Sequence, residues 1–235
     1  MDKVHTNMNV AILLCGGIGT RVGGNTPKQY LIVAGKPIVS YSLRVLQSDK
    51  NIHYIVIVAA SSWHSFLTHI IQNEKISKFI GFSLPGSSRQ LSVYSGLQFI
   101  AQTKPDTTLV LIHDAARPNL SNDLIGKCFK AIDGFDGVLP ALPVKDTVYI
   151  SHNGTTVNAL LKRSEVFAGQ APELFVFKKY IAVHLSSNLY ELERINGSTE
   201  IALKHGLKIK LIAGDEANYK ITTPVDLERF HKEKQ

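Results

Sequence analysis

Arg21 and Lys28 stand on either side of a flexible piece, Gly23-Gly24-Asn25-Thr26-Pro27. Arg21 also closes a glycine-rich stretch, Cys15-Gly16-Gly17-Ile18-Gly19-Thr20-Arg21. Glycine puts no Cβ between backbone N–H groups and an approaching anion. Two cations beside such a cradle suit a polyphosphate whose charge is being rearranged. The expectation is that Cys15, Gly16, Gly17, Gly19 and Thr20 wrap a nucleoside triphosphate and that Arg21 and Lys28 are its fixed charges. Two well-known phosphate loops do not fit. A G-x-G-x-x-G pattern starting at Gly17 ends on Val22, and no Gly-Lys-Ser/Thr occurs. A plain tight turn remains the alternative for this stretch taken alone.

Other chemistry-bearing residues lie far along the chain. Asp114 follows the apolar run 109–112 and could hold Mg²⁺ between triphosphate oxygens, cap a helix, or pair with Arg117. Arg117 could position a substrate phosphate or pin its own loop. His113 reads as a packed, locally bonded histidine. Arg89 and Ser92 lie one turn apart on a helix that opens in Gly86-Ser87-Ser88; Ser92 could touch a base or ribose, and Arg89 could hold the loop that does so. Lys220 matters only if the fold brings it beside Arg21 and Lys28, and Arg163 only if another subunit uses it. No zinc pattern, no G-x-S-x-G elbow and no covalent nucleophile is evident.

The elements that must position these groups follow from hydrophobic periodicity. Strands are expected at 10–14, 54–60, 80–84, 108–113, 137–140 and 208–213. Helices are expected at 37–47, 62–72, 89–101, 121–133, 177–187 and 198–205, with a last one opening at Pro224. This βαβα rhythm predicts an α/β fold, a mainly parallel twisted sheet with helices on both faces. Ligands of such sheets bind beyond the carboxyl ends of the strands, where Arg21, Arg89 and Asp114 fall. Strands at 145–150 and 155–161 around Asn153-Gly154 predict a hairpin in a projecting β-arm at about 143–172. One domain, 1–235, with that arm is the expected organisation.

Composition sets the bounds. The chain has 235 residues, 44% hydrophobic and 19% charged, enough apolar content for a substantial core. A formal net charge of +7 suits acidic ligands, nucleic acid included. The Lys and Arg residues are scattered, however, which weighs against a basic nucleic-acid-binding module. The mismatch at Val22 weighs against a nicotinamide-dependent reductase. Two distant cysteines, Cys15 and Cys128, suggest a reducing compartment, and 1–9 lacks the apolar core of a signal peptide. A soluble cytoplasmic protein with no membrane association is expected.

Taken in order, Gly16 to Arg21, Pro27-Lys28-Gln29-Tyr30, Arg89 with Ser92-Val93, His113 to Pro118, Asp146-Thr147 and Lys220-Ile221-Thr222 form a set that covers nearly the whole chain. The set resembles the 2-C-methyl-D-erythritol 4-phosphate cytidylyltransferases and the similar ribitol-5-phosphate cytidylyltransferases. The resemblance implies a Rossmann-like nucleotidyltransferase fold and a homodimer interlocked through the arm. It implies a polyol phosphate oxygen attacking the α-phosphorus of CTP with release of pyrophosphate. Arg21, Lys28 and Lys220 would be catalytic, stabilising charge at the triphosphate. Asp114 would support Mg²⁺, and Arg89 and Ser92 would belong to the cytosine and ribose pocket. Thr147, Arg117 and a neighbouring subunit's Arg163 would hold the polyol phosphate. The methylerythritol substrate is implied ahead of ribitol 5-phosphate or another polyol phosphate of surface-polysaccharide synthesis.

The chain departs from that family pattern at two places. Methylerythritol enzymes carry a Thr-Asp-Glu-like stretch, and ribitol enzymes Ser/Thr-Asp-Ala, where this sequence reads Gly197-Ser198-Thr199. The usual Thr-Pro-Gln reads Ala171-Pro172-Glu173. The missing acid motivates a milder reading, a family member that has lost activity. Gly169-Gln170 and Thr222-Thr223-Pro224 lean toward the ribitol branch, and 113–118 and 143–147 toward the methylerythritol branch.

Overall fold

The computed structural model describes residues 8–17 and 26–235. Its first strand, β1 (Met8–Leu14), is apolar on both faces: Ala11 and Leu13 point to one core, Val10 and Ile12 to the other. A strand covered on both sides has no use for alternation of polar residues. After a 3-10 turn at Lys28–Tyr30 come a two-residue ladder, β2 (Ile32–Val33) with β3 (Lys36–Pro37), and helix α1 (Ile38–Ser48). The alternation continues with β4 (Tyr54–Val58), α2 (His64–Asn73), β5 (Phe79–Ser83), α3 (Arg89–Thr103), β6 (Thr107–Asp114), α4 (Asn122–Ala131) and β7 (Gly137–Pro143). Ser88 and Ser121 cap α3 and α4 by accepting the backbone N–H of Leu91 and Leu124.

The second half is less regular. A small ladder, β8 (Tyr149–Ile150) with β9 (Ala159–Leu160), is followed by β10 (Phe167–Gly169) and β11 (Glu173–Val176). Helices α5 (Phe177–Ser186), α6 (Leu189–Arg194) and α7 (Ser198–Lys204), strand β12 (Ile209–Ala213) and helix α8 (Pro224–Glu233) complete the chain.

The main sheet runs β10-β7-β11-β6-β1-β4-β5, with β12 pairing β7. Strands β6, β1, β4 and β5 are mutually parallel, whereas β11 enters antiparallel between β6 and β7. The sheet is therefore mixed, and its parallel half gives the Rossmann-like character expected from the rhythm. Helices α1, α2 and α4 pack Val39, Leu43, Leu67, Ile125 and Cys128 on one face. Helices α3, α5, α6 and α7 pack Val93, Leu97, Tyr180, Leu192 and Ile201 on the other. A third cluster joins Val33, Ile38, Ile221 and Phe230, which ties α8 and the segment before it to α1.

Register decides where a site can form. Asp114 pairs with Leu14, Leu14 with Val58, and Val58 with Ser83, so four parallel strands end in one row. The loops after β1, β4, β5 and β6 therefore rise from a common rim.

One local expectation needs correction, and some elements were not expected. The strands expected at 145–150 and 155–161 pair only at 149–150 and 159–160. The Asn153 carboxamide oxygen accepts the N–H groups of Thr155 and Thr156, each at 2.9 Å, and this side-chain-closed loop replaces a tight two-residue turn. Strand β11 was unforeseen because its four residues run directly into α5, leaving no turn residue between them. Helix α6 was also unforeseen; only its capping box, Asn188 with Glu191, marked it.

Candidate active site

A cavity of about 630 Å³ opens over the row of strand ends. Leu14, Gly16 and Gly17 come from the β1 end, Ala60 from beyond β4, residues 85–88 from beyond β5, Asp114 from the end of β6 and Ala116 from beyond it. Lys28, Gln29, Arg89, Ser92 and Lys220 complete its wall, so two of the three cations expected to converge, Lys28 and Lys220, face one cavity. Arg21, Gly19 and Thr20 lie outside the described residues.

The chain holds this wall in place with side chains that take up backbone groups. Gln29 donates to the carbonyls of Cys15 (2.6 Å) and Gly17 (2.7 Å), and the Tyr30 hydroxyl also donates to Cys15 (3.1 Å). The 3-10 turn that carries Lys28 is thereby fastened to the loop after β1. Cys15 itself points into the core, where burial pushes its thiol pKa up; it does not line the cavity. Gly16 touches the loop after β5: a Cβ built on it would sit 2.5 Å from Pro85 Cβ. Only glycine permits that approach.

Lys220 reaches the cavity from an even greater distance in sequence. Asn218 donates to the Ala171 carbonyl (2.6 Å), and the Ile221 N–H to the Ala116 carbonyl (2.8 Å). The Thr223–Asp226 capping box then starts α8. Anchored on both sides, Lys220 places Nζ 2.8 Å from Asp114 Oδ2.

Asp114 is the hub. Its Oδ1 accepts from Arg89 Nε at 3.0 Å and its Oδ2 from Lys220. Burial works to raise its pKa, but Arg89 and Lys220, with Arg117 beyond them, overcome burial and hold the carboxyl well below the usual range. Arg89 divides its other donors between Ser198 Oγ (2.6 Å) and Glu173 Oε2 (3.0 Å). Its guanidinium thus faces the acids rather than the 85–88 loop. That loop is held instead by Ser92, whose hydroxyl donates to the Ser88 carbonyl and accepts the Gly86 N–H.

A second cavity of about 270 Å³ adjoins the first, sharing Arg89, Asp114 and Lys220 and adding Arg117, Gln170, Glu173 and Thr199. Arg117 Nη1 donates to the Asn218 carbonyl, while its Nε is buried without a hydrogen-bond partner among the described residues. His113 is fully buried against the Arg117 carbonyl, and burial pushes its pKa down to about 4, which leaves it neutral at pH 7. Thr147 and Arg163 are exposed and line neither cavity; Arg163 donates to the Lys145 carbonyl.

Across the two cavities four cations, Lys28, Arg89, Arg117 and Lys220, face two carboxylates, Asp114 and Glu173. That surplus suits a polyanion. Sequence reasoning gave no site role to Glu173, Gln170, Thr199 or Asn218, although the first three fall in stretches that were compared with the family pattern. The place of each is set by strand pairing or loop anchoring, so residue type alone does not reveal what it touches.

Comparison with known proteins agrees with this geometry. The family described as IspD, 2-C-methyl-D-erythritol 4-phosphate cytidylyltransferase, matches residues 9–231. A "2-C-methyl-D-erythritol 4-phosphate cytidylyltransferase" of Lachnospira eligens is 32% identical, over 94% of this chain and 96% of its own. A "Ribitol-5-phosphate cytidylyltransferase" of Vibrio parahaemolyticus is 30% identical, over 93% of this chain and 92% of its own. The "Bifunctional ribulose 5-phosphate reductase/CDP-ribitol pyrophosphorylase Bcs1" of Haemophilus influenzae is 31% identical over 95% of this chain, which spans only 48% of that relative. The crystal structure of "4-diphosphocytidyl-2C-methyl-D-erythritolsynthase" from Anaerococcus prevotii shares the fold, with a TM-score of 0.82 at 24% identity, covering 97% of this chain and 96% of the other. The chain belongs to the 2-C-methyl-D-erythritol 4-phosphate cytidylyltransferase (IspD) family of nucleotidyltransferases.

Proposed function

We propose that this protein joins CTP to 2-C-methyl-D-erythritol 4-phosphate, giving a CDP-polyol and pyrophosphate, in the cytoplasm and for isoprenoid precursor synthesis. The observation that carries the reading is the convergence of Lys28, Lys220, Arg89 and Asp114 on one cavity over the strand ends, with a smaller cavity beyond Asp114. Under this reading the triphosphate occupies the larger cavity and the polyol phosphate the smaller.

A phosphate oxygen is already anionic at pH 7, so the attacking group needs no strong general base. The barrier is repulsion between two anions together with charge gathering at a five-coordinate phosphorus. Lys28, Lys220 and Arg21, which follows β1 in sequence, offset both. Gly16 and Gly17 present backbone to the triphosphate, and Gly19 and Thr20, next in sequence, are assigned to the same ligand; Cys15 is not, since its N–H is taken by the Val58 carbonyl and its own carbonyl by Gln29 and Tyr30. Ser92 acts on the nucleotide by holding the 85–88 loop, and Arg117, which lines the smaller cavity, takes the polyol phosphate.

Mg²⁺ fits this donor set. No group of three His, Cys, Asp or Glu side chains could hold a metal among the described residues. Mg²⁺ commonly takes one carboxylate, substrate phosphates and water instead, and Asp114 would supply that carboxylate through lone pairs that Arg89 and Lys220 leave open. When bound, it would neutralise phosphate charge.

The hairpin supports a homodimer in which it reaches a second copy. Tyr149 (56%) and Leu160 (62%) are exposed apolar side chains on its two strands. Thr147 and Arg163, which face solvent here, would then serve the neighbouring subunit's polyol site. The names of two relatives favour a second reading, with ribitol 5-phosphate as acceptor.

Pyrophosphate release from CTP, Mg²⁺ and each polyol phosphate in turn tests the proposal. Release with the methylerythritol substrate supports the first reading, and release with ribitol 5-phosphate alone replaces it with the second. Silence from folded protein with every polyol phosphate rejects both.

A further inference from the structure

The two places where the sequence departs from the family pattern meet on one guanidinium. Ser198 stands where an acid was expected, and its Oγ lies 2.6 Å from Arg89 Nη1. Glu173 stands where glutamine was expected, and its Oε2 lies 3.0 Å from Arg89 Nη2. Strand register explains how. Glu173 pairs with Ile112, so its side chain leaves the same sheet face as those of Ile112 and Asp114, beside which Arg89 lies. Its second oxygen accepts the Thr199 hydroxyl at 3.0 Å, and the residue is only 5% exposed.

We infer that Glu173 supplies from β11 the negative charge that positions 198 and 199 lack, and that it acts as the positioning residue of the site: Thr199 fixes Glu173, Glu173 orients Arg89, Arg89 fixes Asp114, and Asp114 holds Lys220. The inference rests on the proposed cytidylyltransferase reading for its effect on turnover, but not for its effect on stability. It also answers the reading of a lost activity, because the charge is moved rather than missing. An unpartnered guanidinium in so enclosed a place turns toward whichever acid remains. Without Glu173, Arg89 therefore competes with Lys220 for Asp114 instead of being shared between two carboxylates. The move also leaves two hydroxyls and a glycine, Ser198, Thr199 and Gly197, where a carboxylate would otherwise stand.

Three variants and one double variant test this: E173Q, E173D, S198D and E173Q/S198D. Position 198 is the first residue of α7, where a carboxylate also suits the helix dipole. Steady-state pyrophosphate release and thermal melting are measured on each. E173Q is expected to lower kcat ten- to a hundredfold while the KM for CTP changes less than threefold, because Glu173 orients the charges and does not touch the nucleotide. E173D keeps the charge and should retain more turnover than E173Q. In E173Q/S198D the acid returns to Arg89 at Nη1 instead of Nη2, so kcat and melting temperature should both recover toward the parent. Parent-like turnover in E173Q overturns the inference. So does equal loss in E173D and E173Q, or a folded double variant no better than E173Q in either measurement. If the parent itself releases no pyrophosphate but S198D restores the melting temperature of E173Q, the cytidylyltransferase reading fails and the assignment of Glu173 stands.

Discussion

Replacing Lys220 by Met separates what the lysine does for stability from what it does for chemistry. Its Nζ lies 2.8 Å from Asp114 Oδ2. At an effective dielectric constant of about 20 the bare attraction is about 6 kcal/mol. Most of that is offset by desolvation, and the Lys220 side chain is 35% exposed, so water screens the pair. Asp114 also keeps Arg89. The net loss of stability should be about 1–2 kcal/mol. For a chain of 235 residues that lowers the melting temperature by roughly 3–6 °C. The effect on turnover should be larger. A fixed cation placed where charge gathers in the transition state contributes about 3–4 kcal/mol, or two to three decades in kcat. The assay is pyrophosphate release at saturating CTP and polyol phosphate, at a temperature where melting shows K220M fully folded. A kcat within threefold of the parent would refute the reasoning, since the lysine would then be only an ion-pair partner.

Three separate features carry further predictions. G16A pushes a Cβ to 2.5 Å from Pro85 Cβ, so it should cost about 1–3 kcal/mol and raise the KM for CTP by moving the loop that lines the cavity; parent-like melting and KM would contradict the close approach. His113 and His184 have pKa values pushed down by burial from 6.5 to about 4. Between those values the unfolded chain binds protons that the folded chain refuses, so stability falls as pH drops from about 6.5 to 4, by at most about 4 kcal/mol for the pair at pH 5. Equal urea midpoints at pH 7 and pH 5 would exclude this. L160D places a charge on the exposed apolar side of the hairpin and should leave a monomer in sedimentation velocity where the parent sediments as a dimer; a monomeric parent would remove the proposed role of the hairpin.

The parallel half of the fold was legible in the sequence because β1, β4 and β6 are apolar runs buried on both faces. Runs such as 10–14 and 109–112 have few other uses. The antiparallel insertion of β11 was not legible, since pairing partners depend on tertiary contacts and Glu173–Val176 merges without a break into α5. The site divides in the same way. Lys28 and the glycines could be read because they form one contiguous segment whose residue types share a purpose. Arg89 and Asp114 could be named singly, but their ion pair could not, because nothing within the residues between them fixes strand order. Arg89 and Ser92 also show the limit of reading a role from type: the serine holds the loop and the arginine holds the acids, which reverses the loop-holding role expected of Arg89.

Why a site proposed for polyphosphate should contain two buried carboxylates follows from the cations around them. Lys28, Arg89, Arg117 and Lys220 surround adjoining cavities. Two unit cations about 6 Å apart repel by about 3 kcal/mol at an effective dielectric constant of about 20. Left to themselves, flexible side chains would relieve that repulsion by swinging into solvent. They would then have to be gathered again for each turnover, at a cost in entropy and reorganisation. Asp114 removes that cost by accepting Arg89 on one oxygen and Lys220 on the other, and Glu173 anchors the far side of Arg89. The carboxylates thus act as stand-ins for the ligand's charge. The arrangement holds only if they remain weaker acceptors than a triphosphate, and the exposed side of Lys220 leaves its ammonium donors open to one. An acid of that kind must sit at a strand end, where the backbone is rigid, and both Asp114 and Glu173 do.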